Sequence, residues 1–215
     1  MDRELEIELA KRLLAGETEA FDRFVEHFRA KVFHYSWLMC GQREDAEEVA
    51  QETMLKTFES FHQLREPERV RPWIFRIAKN ACLVKRRKSI FAPTSAHEIS
   101  LDELMPSRSS QDGLMKIEIA DWTHLPEDEV LKTEMKTELD AAIRALPEIY
   151  RSVILLRDIE ELSTAEASQI LDVSEDVVKT RLHRGRLAIR KHLEERLRVG
   201  KHNQPFQAAT MEVAS

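Results

Sequence analysis

The chain has 215 residues, 42% hydrophobic and 33% charged, with five glycines and a formal net charge of −6. That balance supplies apolar mass for one or two packed domains and suits a soluble, mostly helical protein, since few segments alternate with period two. No apolar run reaches the ~20 residues of a membrane span and the start lacks a signal peptide's apolar core, so membrane insertion is not expected.

From the start, Glu4 to Leu14 reads as a helix carrying Leu5, Ile7, Leu9, Leu13 and Leu14, closed by Gly16. Thr18 is placed to cap the next helix, where Phe21, Phe24, Val25, Phe28, Val32 and Tyr35 recur at i, i+3, i+4 and i+7. Such an aromatic stripe is core rather than a cofactor box. Trp37, Leu38 and Met39 extend it until Gly41-Gln42 breaks the chain. The following helix opens on Asp45-Ala46-Glu47-Glu48, a capping-box-like start. Val49, Met54, Phe58 and Phe61 give it an apolar face, while Glu47, Glu48, Gln51, Glu52 and Lys56 fall elsewhere. A charged loop from His62 to Arg71, containing Pro67, leads to a helix whose first turn suits Pro72, because proline's missing N–H has no partner to lose there. Trp73, Ile74, Phe75, Ile77, Ala78, Ala81, Leu83 and Val84 alternate in that helix with Arg71, Arg76, Lys79 and Lys85 to Lys88. Arg65 to Lys88 holds nine Lys/Arg against two Glu, an excess of seven positive charges inside a net-negative chain. A local cation excess of this kind is the footprint of a polyanion partner.

An acidic amphipathic helix can be a plain solvated face, and Trp73-Ile74-Phe75 can be plain core. Their order and detail add a second reading. Glu48-Val49-Ala50-Gln51-Glu52 followed by Pro72-Trp73-Ile74-Phe75-Arg76-Ile77-Ala78-Lys79-Asn80 resembles region 2 of sigma-70 family transcription initiation factors, in particular the extracytoplasmic-function (ECF) group. The resemblance implies that Glu48, Gln51 and Glu52 dock on the clamp helices of the RNA polymerase β′ subunit. It implies that Arg71, Trp73, Arg76, Lys79 and Asn80 handle the −10 promoter element, with the 62–71 loop helping to receive a flipped base. Such a pocket needs a polar rim and nearby cations, which the loop supplies.

Beyond Ser89 the character changes. Pro93, Pro106, Ser107, Ser109, Ser110 and Gly113 punctuate a stretch of weak periodicity, and Ser89 to Asp140 holds twelve Asp/Glu against four Lys/Arg. Residues 89–125 read as a flexible acidic linker; the resemblance implies a path through polymerase toward the active-site cleft. Leu101, Leu104, Met105, Leu114, Ile117 and Trp122 are more apolar than a spacer needs, which suits a short helix or a segment packed on a domain.

A second domain is expected from about Pro126. Val130, Leu131, Met135, Leu139, Ile143 and Leu146 form one helix ended at Pro147, and Glu148 to Glu160 another with Tyr150, Val153, Ile154 and Leu156 inward. Ser163-Thr164-Ala165-Glu166 is a capping box opening a short helix to Leu171. Asp172-Val173-Ser174 is the turn, and Ser174 caps a long helix from Glu175 to about Leu197. Short helix, tight turn and second helix make a helix-turn-helix, held by Ala167, Ile170, Val173, Val178 and Leu182. Val177-Val178-Lys179-Thr180-Arg181-Leu182-His183-Arg184-Gly185-Arg186 resembles the V-K-S-R-L-x-R-A-R pattern of ECF region 4. The resemblance implies −35 element binding by Lys179, Thr180, Arg181, His183, Arg184 and Arg186, and contact with the polymerase β flap. Arginine can bond guanine O6 and N7 together, whereas Lys and Thr more often hold phosphate. Asp172 replaces the family's usual Gly, a modest departure because Asp tolerates the left-handed region. Glu175 and Asp176 depart from the small or Pro residues common there; they can accept from cytosine N4 or simply favour the positive helix end.

Cys40 and Cys82 lack CxxC or Cys/His spacing and the eight histidines are scattered, so no zinc site is expected and a reducing cytoplasmic setting is. There is no phosphate loop, metal motif or nucleophile motif; the expectation is no enzyme, no metal and no cofactor. The combined expectation is an all-α protein: a region 2 bundle at 1–88, a linker at 89–125, a region 4 helix-turn-helix at 126–199 and a tail at 200–215. It would bind core RNA polymerase and promoter DNA, and the resemblance adds an anti-sigma partner. A standalone helix-turn-helix regulator is the alternative, and it has no need for Glu48, Gln51 and Glu52. A non-DNA adaptor would make the basic helix around Arg181 and Arg184 dispensable.

Overall fold

The aromatic repeat between residues 21 and 35 becomes the spine of the first domain. The computed structural model describes residues 2–88 and 129–202, with α1 at Asp2–Leu14, α2 at Ala20–Cys40, α3 at Arg43–Ser60 and α4 at Val70–Lys88. Phe24, Phe28, Val32 and Tyr35 are fully buried on one face of α2, as side chains three and four apart must be when a single face packs. Phe24 meets Phe61 edge-on at 5.4 Å between centroids, and Tyr35 meets Phe75 at 5.4 Å. Each such pair adds about 0.5–1.5 kcal/mol beyond area burial, so α2 anchors both the end of α3 and the middle of α4. Gly41, at φ 83°, ends α2 in the left-handed conformation with its N–H on the Trp37 carbonyl at 2.9 Å.

Several local expectations shift. Thr18 does not cap α2, which starts at Ala20 behind Glu19 without a side-chain cap. The third helix begins at Arg43, two residues before Asp45, with Gln42 extended ahead of it; Asp45 instead pairs with Lys85 of α4 at 3.3 Å. Phe58 is 60% exposed and only edges Phe21 at 4.9 Å. The inner face of α3 is made by Ala46, Val49, Ala50, Thr53 and Thr57. Both threonine hydroxyls donate to carbonyls four residues back, on Val49 and Thr53, at 2.7 Å. Their polar atoms are satisfied inside the helix, which leaves the methyl groups for the core.

The first helix is not the leucine face its composition suggested. Leu5 and Leu14 are exposed, while Glu6 is fully buried beside Leu9 and Ala10. Arg71 grips the Glu6 carboxylate with Nε and Nη2 at 2.7 and 2.8 Å, Lys31 donates at 2.8 Å, and His27 lies at 2.9 Å. Burial alone would push this carboxyl up, but hydrogen bonds from Arg71, Lys31 and His27 outweigh it and hold the pKa at about 2.

The second domain comprises α5 at Glu129–Ala145, α6 at Glu148–Ile154, α7 at Thr164–Leu171 and α8 at Glu175–His202. The single helix expected over Glu148–Glu160 instead ends in a π-helical turn at Leu155–Ile159. There Glu160 N–H bonds the Leu155 carbonyl at 2.9 Å, five residues back, and Glu161 at φ 54° leaves the helix. Leu155 and Leu156 both stay buried, with Ile143, Val153, Ile154, Leu162, Ile170 and Val178. Gly185 lets α8 approach α6: a Cβ there would lie 3.0 Å from Ile154 Cγ1. The last helix continues through Gly200 to His202, past the expected boundary. No strand occurs among the described residues. The 89–125 linker, the Pro126 boundary and the tail beyond His202 lie outside them.

Glu6→Ala should destabilise the protein by about 3–5 kcal/mol, because it leaves Arg71, Lys31 and His27 facing one another beside the core. The check is urea unfolding followed by tryptophan fluorescence. Since this carboxyl titrates lower when folded, its contribution is fully present above its ordinary value of 4.5 and disappears as pH falls toward about 2. Glu6→Gln should flatten that stretch of an acid titration.

Candidate nucleic-acid interface

The outer face of α3 presents Glu48 and Gln51 to solvent, with Glu52 half-buried beside them. Leu55, one turn on, is 57% exposed. Spacing of 48, 51, 52 and 55 puts all four on one stripe, so the structure groups the three residues chosen from sequence and adds Leu55. Glu48 pairs with Lys85 and Glu52 with Lys56, the latter at 2.6 Å. The Glu48 carboxylate is well exposed and that of Glu52 partly so, and solvent-facing pairs of this kind exchange at little cost.

Along α4, residues 73, 76 and 80 share a face at i, i+3 and i+7, with Lys79 alongside. Asn80 and Arg76 are exposed; Trp73 and Lys79 are half-buried. Trp73 stands edge-on to Phe61 at 5.8 Å, which fixes its ring at the rim of the core. Arg71 points elsewhere, into Glu6, and its side chain is 12% exposed. A cleft of about 240 Å³ opens where the 62–71 loop meets this face, lined by Gln63, Arg65, Glu66, Trp73 and Arg76. Its far wall is Gln169 and Ile170 of α7.

That wall belongs to a seam between the two domains. Arg71 Nη1 donates to the Glu160 carbonyl at 3.2 Å and Arg76 Nη2 to the Gln169 carbonyl at 3.0 Å. Arg86 pairs with Glu148 at 2.6 Å, and Arg3 with Glu166 at 3.4 Å. In the other direction, Arg151 donates to the Leu38 and Met39 carbonyls at 3.4 and 3.1 Å, and Arg144 lies 4.8 Å over the Trp37 ring. Burial lowers the Arg151 guanidinium to about 10, with Arg86 adding to the effect. Burial also raises the Glu160 carboxyl to about 8, against the pull of Arg71 and Lys31 and with the push of Glu6 and Glu161. Glu160 therefore holds its proton well above the ordinary carboxylate range.

The helix-turn-helix forms as its local signals direct. Ser163 Oγ accepts from Glu166 N at 3.2 Å, and Ser163 N donates to the Glu166 carboxylate at 2.7 Å. Asp172 ends α7 at φ 56°, ψ 49°, in the left-handed region. Ser174 Oγ receives Val177 N at 3.3 Å. Ala167, Ile170 and Val178 are buried between the helices, with Val173 and Leu182 packed against them. On α8, Asp176, Lys179, Thr180 and His183 form one exposed stripe; Lys179 pairs with Asp176 at 3.2 Å. Arg181 and Arg184 are half-buried on the flank, with no charged partner among the described residues. Arg186 is committed: its Nε and Nη2 clasp the Asp158 carboxylate at 2.9 and 2.6 Å. Asp158 and Glu160, both in or beside the π turn, escaped sequence reasoning because nothing local marks them. Glu6 did leave a signal: it precedes Leu9, Ala10 and Leu13 by three, four and seven residues.

Among the described residues no His, Cys, Asp or Glu cluster could hold a metal, and no helix is long and apolar enough to cross a membrane. Two family models match: sigma-70 region 2 over residues 24–89 and sigma-70 region 4 over residues 136–189. The chain is 32% identical to the ECF RNA polymerase sigma factor SigW of Bacillus subtilis over 187 residues, 86% of this chain and 95% of that one. It is 26% identical to the RNA polymerase sigma-H factor of Pseudomonas aeruginosa over 202 residues, 92% and 98% of the two chains. Its fold is similar to CnrH, solved in complex with the cytosolic domain of CnrY, with a TM-score of 0.58 at 19% identity over 89% of this chain and 98% of that one. It is also similar to RpoE of Bartonella quintana, solved with the anti-sigma factor NepR, with a TM-score of 0.57 at 16% identity over 82% and 98%.

The seam should respond to pH through Glu160. A carboxyl raised from 4.5 to about 8 binds its proton more tightly when folded. Stability therefore falls as pH rises across that interval. Glu160→Gln, neutral throughout, should abolish most of that slope and raise the melting temperature at pH 8. A thermal denaturation series from pH 5 to 9 checks it.

Proposed function

The chain belongs to the ECF group of sigma-70 RNA polymerase sigma factors, and from that membership we propose how its exposed surfaces divide the work. The protein binds core RNA polymerase and directs promoter-specific transcription initiation. The catalytic chemistry is the polymerase's, and the protein works in the bacterial cytoplasm beside it. The stripe of Glu48, Gln51, Glu52 and Leu55 docks on the β′ clamp helices. The observation that carries this reading is Leu55: an apolar side chain 57% exposed at the end of an acidic stripe is what a partner helix would cover. Trp73, Arg76, Lys79 and Asn80 engage the −10 element, with the adjoining cleft receiving the flipped base. The exposed start of α8 meets the −35 element, with Arg184 reading a base, Lys179 holding phosphate and Thr180, Arg181 and His183 beside them, and the second domain meets the β flap.

Geometry refines two of the sequence-derived candidates. Arg71 reaches DNA only by leaving Glu6 and the Glu160 carbonyl, and Arg186 only by leaving Asp158; both act foremost in holding their domains together. Arg76 is free for DNA once α7 withdraws from α4. The seam is thus a closed arrangement that promoter engagement must open. An anti-sigma protein that clamps the two domains in this arrangement would block polymerase and DNA surfaces together. CnrH, whose fold this chain shares, was solved with the cytosolic domain of CnrY, and RpoE with the anti-sigma factor NepR. A standalone DNA-binding regulator would have no use for the α3 stripe.

Reversing Glu48 and Glu52 to Lys, with Gln51→Ala, should abolish co-purification with core polymerase while leaving the circular dichroism spectrum unchanged, since all three side chains avoid the core. Persistent binding would overturn the assignment of α3. On DNA, Arg184→Ala should weaken −35 binding by ~1–3 kcal/mol and relax preference at one position, whereas Lys179→Ala should weaken all sequences alike and reduce the salt slope by about 1. Asn80→Ala should impair promoter opening with −35 binding intact. Loss of the same step in all three variants would contradict the division of labour, and footprinting with permanganate reactivity distinguishes the steps.

A further inference from the structure

The two cysteines, 42 residues apart in sequence, meet where α2 ends against α4. The Cys40 and Cys82 sulfurs are 3.7 Å apart; Cys40 is half-buried and Cys82 fully buried. Thiols packed this way need a rotation about Cα–Cβ and a small approach of the helices to reach the bonding distance of about 2.05 Å. We propose that Cys40 and Cys82 form a redox-active dithiol, a modification site that hydroperoxides convert to an intradomain disulfide joining α2 to α4.

The two thiols are unequal in a way that assigns their roles. The hydrogen bond from Cys82 favours the Cys40 thiolate, and Arg86 and Lys85 add to that effect against burial and Asp45. The same contact and deeper burial push the Cys82 thiol up. Cys40 is also the one with an exposed edge, so it meets the oxidant. Its thiolate sulfur attacks one peroxide oxygen and the O–O bond breaks. The products are Cys40 sulfenic acid and the leaving oxyanion, hydroxide from hydrogen peroxide or an alkoxide from an organic hydroperoxide, which takes a proton to become water or an alcohol. Cys82 then gives up its proton and its sulfur attacks the Cys40 sulfur. The S–O bond breaks and a water leaves. Two thiols are oxidised by two electrons, one hydroperoxide is reduced, and the disulfide remains.

The cross-link lies beneath the seam. The Leu38 and Met39 carbonyls, immediately before Cys40, receive Arg151 from α6. Arg86, one turn after Cys82, pairs with Glu148. Lys79 and Asn80 lie on the same helix, just ahead of Cys82. Oxidation therefore ties together the two helices on which the second domain rests, on the helix that carries the −10 candidates.

The test treats the full-length reduced protein with hydrogen peroxide under native conditions and measures intact mass, thiol content and disulfide-linked peptides. The proposal predicts loss of the mass of two hydrogens, loss of both thiols, one peptide pair joining Cys40 to Cys82 in a monomer, and reversal by dithiothreitol. Cys82→Ser should halt the reaction at a Cys40 sulfenic acid captured by dimedone, and Cys40→Ser should leave Cys82 unmodified. Three results on the unmutated protein would overturn the proposal. Both thiols could survive a dose that oxidises the urea-unfolded chain, Cys40 could gain two oxygens beside a free Cys82, or the disulfides could join separate chains.

Discussion

Burying the Glu6 carboxylate makes sense only if folding brings cations to it, and the cations come from two other helices. Removing a carboxylate from water costs several kcal/mol even after relaxation, and only close, hydrogen-bonded partners offset it. Lys31 and His27 arrive from α2 and Arg71 from α4, so α1 docks only where those three side chains converge. A guanidinium has five N–H donors in a fixed fork. Two of Arg71's go to Glu6 and a third to the Glu160 carbonyl of the second domain. One side chain thereby closes the first domain and begins the seam with the second.

The same economy runs through the rest of α4. Its cation excess reads in sequence as a footprint for nucleic acid, yet Arg71, Arg76, Lys85 and Arg86 all have partners within the folded chain. An anionic partner of this face would have to compete for them. The internal partners of Arg76 are weak rivals: a single carbonyl bond at an exposed position is worth far less than contact with a phosphate lattice. Arg71 is the opposite case, bidentate and shielded. The graded strength of these contacts sets which cations exchange and which stay.

Local chemistry was legible and tertiary chemistry was not. Ser163 with Glu166, Asp172 in the left-handed turn and Ser174 at the start of α8 follow from rules that span a few residues, and the helix-turn-helix came out of the sequence intact. The aromatic stripe of α2 did too, since its period fixes its face. The start of α3 was misplaced because Asp45 looks like a cap but serves as a partner for Lys85 across the bundle. Phe58 falls on the apolar face by its spacing from Met54 and Phe61, yet Thr53 and Thr57 satisfy their own hydroxyls and fill the inner positions. Arg71 and Glu160 are 89 residues apart, and no spacing rule pairs them. The exposed stripe of α3 was readable in its polar members Glu48, Gln51 and Glu52, while the exposure of Leu55 at its end was not drawn from the sequence.

The central claim is that the seam is a closed state whose Arg76 passes to promoter DNA when polymerase binds. The most direct measurement places a donor at Arg23 and an acceptor at Glu194, both exposed and on different domains, and follows energy transfer in the free protein, with core polymerase, and in the open promoter complex. The account predicts that transfer falls from its free-protein value on polymerase binding, at concentrations that track complex formation. Unchanged transfer in a complex that is transcribing would contradict it.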